Sequence, residues 1–153
     1  MRRPAVASIV STAAVLALAG CTDPVAPAGP KLHVALTLQQ PTAPTSVFRA
    51  HVGGELVEVR AQGLAEGRAE VRAPRYGDVP VRATLLTAAG DTLASVAFGQ
   101  SFRRDHAHWV LAHVGRRRPI GHCIGTLLVA PLRGADSDTL FVTYGGIPEG
   151  AIC

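Results

Sequence analysis

The strongest constraint on this chain is an alternation of period two. Leu32, Val34, Leu36 and Leu38 alternate with His33, Ala35, Thr37 and Gln39. Successive side chains of a strand point to opposite faces, so this run builds one strand with a clean apolar face. A Val-Arg-Ala triplet then recurs at Val59-Arg60-Ala61, Val71-Arg72-Ala73 and Val81-Arg82-Ala83. Its members read as in, out and in, with each arginine toward water. Spacings of this order match short strands separated by turns in an all-β domain.

Further strands are expected over Val79 to Thr87, Thr92 to Phe98, His106 to Val114, Thr126 to Leu132 and Thr139 to Tyr144. Turn clusters separate them: Ala89-Gly90-Asp91, Gly134 to Asp138, and Gly145-Gly146. Glycine supplies positive φ, and Asp or Ser bonds its own backbone, which is why they gather at turns. A short helix over Gly63 to Gly67 is the one expected departure. About eight short strands predict an antiparallel two-sheet β-sandwich, immunoglobulin-like or similar, with a closed barrel as the alternative. Such an architecture implies no function.

The N-terminus has a different pattern. Arg2 and Arg3 are followed by an apolar stretch from Ala5 to Ala19 and then by small residues ending in a cysteine. This is the layout of a secretory signal. The apolar run is shorter than the roughly 20 residues a spanning helix needs. Leu18-Ala19-Gly20-Cys21 resembles the lipobox of bacterial lipoproteins. The resemblance covers residues 1–21 and implies cleavage before Cys21 and lipidation of its thiol. Two acyl chains hold a protein stably on a bilayer where one does not. By analogy with lipoprotein sorting, Thr22 after the cysteine favours the outer membrane where the organism has one. The expected organisation is a signal peptide over 1–20, a lipidated cysteine and Pro-rich tether over 21–30, and a single domain over 31–153. Pro24, Pro27 and Pro30 give that tether an extended character.

Two of the fifteen basic residues precede Cys21, whereas all eleven acidic residues follow it. The chain from Cys21 onward is therefore close to neutral, and nucleic acid is not an expected partner. Cys123 and Cys153 remain after lipidation. In an oxidising compartment an even pair forms a disulfide, here worth roughly 3–4 kcal/mol in the chain-entropy model.

Three groups are candidates for chemistry. His106 and His108 share one face of a strand, about 6–7 Å apart. With His122 they are candidate ligands for zinc or copper, since imidazole suits both. His113 should face the other way, beside Trp109 and Leu111, which look like core. Arg116-Arg117-Arg118 between Gly115 and Pro119 forms a basic loop suited to an anionic surface. Asp136 and Asp138 lack the rest of a calcium-loop pattern and read as a hairpin turn. No nucleophile elbow, zincin helix or phosphate-binding glycine loop occurs in the sequence. The expected function is a non-catalytic binding or structural module of the cell envelope, with no required cofactor. Its partners are the membrane and an envelope protein, polymer or small ligand. A metal-binding lipoprotein and an enzyme with an unrecognised site are the alternatives.

Overall fold

The computed structural model describes residues 29–39, 46–61, 66–120, 125–134 and 138–151. These form β1 (Lys31–Leu38), β2 (Ser46–Val52), β3 (Glu55–Ala61), β4 (Glu66–Arg72), β5 (Gly77–Thr87), β6 (Thr92–Phe102), β7 (His106–Gly115), β8 (Thr126–Pro131) and β9 (Thr139–Pro148). The architecture is a two-sheet β-sandwich. One sheet has the order β4-β1-β7-β9-β8 and the other β3-β2-β5-β6.

All three Val-Arg-Ala triplets adopt the expected in-out-in arrangement. Val59, Ala61, Val81 and Ala83 lie in the core, Val71 packs against it, and Arg60, Arg72 and Arg82 are exposed. The alternation of β1 also holds, with Leu32, Val34, Leu36 and Leu38 buried between the sheets.

Besides Gly145 and Gly146, which lie inside β9 and not at the expected turn, four features depart from expectation. The strand β2 was not anticipated, although its Phe48 is wholly buried. Gly53 and Gly54, at positive φ, turn β2 into β3, and paired glycines between alternating runs are a hairpin signal. The sheets are not purely antiparallel, because β1 and β7 pair in parallel from Leu32↔His108 to Leu38↔Val114. Glu66 and Gly67 belong to β4, not to a helix, and residues 62–65 lie outside the described residues. A Cβ on Gly67 would come within 2.4 Å of the Arg60 carbonyl oxygen, so glycine lets β4 approach β3.

The fourth departure concerns β7. Its core-facing side carries His108, Val110, Ala112 and Val114, which pair with the inward residues of β1. Trp109 and Leu111 occupy the opposite face, so they do not belong to the inter-sheet core. Trp109 is nonetheless 7% exposed, and Phe141 on the same face is 8% exposed. The phase of the strand, not the size of the indole, decides which face is inside.

Candidate functional site

The inward positions of both sheets are apolar almost throughout, and apart from Ser46 on β2 the buried polar exceptions among the described residues mark the site. On β6 the inward series runs Ala94, Val96, Phe98, Gln100 and Phe102, opposite inward residues of β5. On β7 the inward residue nearest the same end is His108. Gln100 is 2% exposed and His108 is 1% exposed. Burying a polar group costs free energy unless its hydrogen bonds are replaced.

Replacement is incomplete for both. Gln100 Nε2 donates to the Gly145 carbonyl at 2.9 Å, but Oε1 has no partner. His108 Nε2 lies 3.1 Å from both the backbone N–H and the carbonyl of Arg103. It accepts from the first or donates to the second according to tautomer, and Nδ1 has no partner in either case. An unmet buried acceptor or donor costs about 1–3 kcal/mol. Burial pushes the His108 pKa down, the neighbouring His106 adds to that effect, and the Arg103 backbone bond opposes it. Burial therefore favours the neutral ring.

Both residues line a cleft of about 450 Å³ where β6 faces β8 and β9. Arg103, His106, Thr126 and Tyr144 complete its polar wall, and glycines at 125, 145 and 146 leave room in it. A Cβ on Gly146 would come 2.5 Å from His108 Nδ1, so the histidine can be seated there only beside a glycine. The ring also leans on Phe102, with centroids 4.8 Å apart. Phe98 and Tyr144 stack at 4.0 Å, linking β6 to β9. A larger depression of about 970 Å³ lies over the outer face of the second sheet, near His51, Pro80, Arg82 and Gly99. None of the residues with unpartnered buried atoms lines it. The smaller cleft is the better candidate.

Of the expected metal ligands, the fold brings His106 and His108 together with ring centroids 6.1 Å apart. His106 Nδ1 donates to the Arg104 carbonyl at 2.9 Å, which leaves Nε2 bare. Metal-ligating histidines are commonly braced in this way. His122 lies outside the described residues, and among those described no group of three His, Cys, Asp or Glu side chains converges. His113 faces the other side of the sheet, as expected. Burial lowers its pKa, and its Nε2 has no partner.

The arginine loop begins where β7 ends. Because β1 and β7 are parallel, this end is remote from Gly29, where the described chain begins. Arg116 approaches Asp138 at 3.6 Å. Arg117 and Arg118 are exposed, and Ile120 beyond them is 95% exposed. Cys21, Cys123, Cys153 and Asp136 lie outside the described residues.

Sequence reasoning missed Gln100, Gly146 and Ile120. The signal for Gln100 was available: it is the one polar residue in the inward series of β6. Some ionised groups pair at the surface, as in Arg49–Glu58 at 2.6 Å and Lys31–Glu70 at 3.0 Å. In comparisons with known proteins, no family model, no curated protein and no solved structure matches this chain.

Proposed function

We propose that this chain is a lipid-anchored extracytoplasmic binding module, non-catalytic, whose ligand site is the cleft between β6 and β8. The anchor rests on the resemblance of Leu18 to Cys21 to a lipobox. The binding role rests on one observation: Gln100 and His108, each buried with an unpartnered polar atom, line the same cleft. A fold tolerates unmet buried polar groups chiefly where function needs them. The partner is a small polar ligand, or the end of an envelope polymer, that donates a hydrogen bond to Gln100 Oε1. The test is native mass spectrometry of the protein purified from its host membranes. A retained small molecule is the expected result, and a protein that arrives bare from gentle extraction contradicts it.

A second reading takes zinc or copper at His106 and His108, favoured by the bracing of His106 on a backbone carbonyl. Metal analysis of protein purified without a histidine tag separates the two. Stoichiometric metal that disappears in His106→Ala would move the assignment to a metal site.

A further inference from the structure

Ile120 is the most exposed large apolar side chain of the described residues; Leu56, Tyr76 and Val129 show between about two fifths and little more than half of theirs. It closes the run Arg116-Arg117-Arg118-Pro119-Ile120, in which Arg116 lies within ion-pair distance of Asp138 and the next two arginines have no acidic partner among the described residues. We propose that this loop docks onto an anionic phospholipid surface, with the guanidinium groups on the headgroup phosphates and Ile120 in the acyl boundary. The docking rests on the lipid-anchored reading for its proximity, although its chemistry stands apart from the anchor.

The physical case has three parts. Guanidinium groups bind phosphate through paired donors, and their weak hydration suits an interface. Cations beside an apolar side chain form the pairing by which peripheral segments hold a bilayer surface. Charge alone would suit any polyanion; the fully exposed isoleucine selects a surface with an apolar interior.

Reach is the third part. Cys21 lies eight residues before Gly29, a span of up to about 28 Å when extended. The strand β1 runs eight residues from Lys31 to Leu38, about 25 Å. A domain lying along the bilayer thus brings the arginine loop to the same membrane as its anchor. Once tethered, even a weak contact is populated, because the second encounter is intramolecular.

The test uses the mature chain carrying Cys21→Ser, so that no lipid contributes. Cosedimentation is measured with vesicles of phosphatidylcholine alone and of phosphatidylcholine mixed with phosphatidylglycerol. Binding is expected only to the mixture, and should weaken as salt is added. Each of Arg117→Gln and Arg118→Gln should weaken it about fivefold, the equivalent of the usual contribution of one basic residue at an anionic surface. Ile120→Ser should weaken it about tenfold or more. All three positions are exposed, so unchanged melting temperatures will show that the variants are folded. Absence of binding to the mixed vesicles overturns the proposal. So does binding that survives Ile120→Ser, or equal binding to soluble polyphosphate, which would mark a site for polyanions in general. Fractionation of Cys21→Ser cells tests the anchor separately: release by high salt is expected, and the vesicle result does not depend on it.

Discussion

Replacing Gly146 by alanine probes the cleft through a single atom. The added Cβ would stand 2.5 Å from His108 Nδ1 and 2.8 Å from Cε1, closer than any ordinary contact. His108 has little room to retreat, being packed on Phe102 and held at Nε2 by the Arg103 backbone. Overpacking of this kind costs about 1–3 kcal/mol. Loss of the Arg103 bond adds about 1 kcal/mol. Alanine returns about 0.4–1 kcal/mol by restricting the unfolded chain. The net expectation is a destabilisation of about 2–3 kcal/mol, a fall in melting temperature on the order of 10 °C for a domain of this size. Gly99→Ala is the control. Its Cβ would meet nothing within 4 Å, so only the chain-entropy gain of about 0.4–1 kcal/mol remains. Thermal melts and urea titrations of both variants decide the matter. If Gly146→Ala melts with or above the parent, the packing described for His108 is wrong.

Three other outcomes follow from the same reasoning. At high salt, Cys21→Ser should move the protein from the membrane to the soluble exported fraction; a mutant that resists a carbonate wash would refute the anchor. Mass spectrometry of non-reduced peptides should find Cys123 joined to Cys153, and free, alkylatable thiols would refute that pairing. Stability should fall as pH drops below about 6.5, because His108 and His113 have depressed folded pKa values and the unfolded chain takes up protons first. Each unit of depression removes about 1.4 kcal/mol once both states are protonated. His113→Leu should flatten the slope, and a urea midpoint that is constant or rises toward acid would contradict it.

The fold class was legible because alternation is a local property. The triplets around Arg60, Arg72 and Arg82 needed no knowledge of their partners to place arginine in water. Pairing was less legible: nothing near Leu32 or His108 announces that β1 and β7 lie side by side in parallel, since that contact spans the whole intervening chain. The strand β2 was overlooked because Val47, Arg49 and His51 dilute its inward Phe48, Ala50 and Val52, although Gly53-Gly54 signalled the hairpin. Trp109 was placed inside on hydrophobicity, whereas continuity with Val110, Ala112 and Val114 required the even-numbered face. That same phase puts His108 in the core. The cleft itself could not be read in advance, because Gln100, His108 and Gly146 come from three strands and acquire meaning only when Gly146 is seen against the imidazole.

The most direct measurement on the central claim is a double readout on Gln100→Leu. Leucine is of similar size although it branches one carbon earlier; it removes the unmet Oε1 and gives up the bond to the Gly145 carbonyl. Loss of that bond costs about 1 kcal/mol, and removal of the unmet acceptor returns about 1–3 kcal/mol, so the exchange is near neutral or stabilising. The account therefore predicts a melting temperature equal to or above that of the parent, together with loss of the small molecule retained from host membranes. A variant that melts equally well and still retains that molecule would contradict the assignment of the cleft.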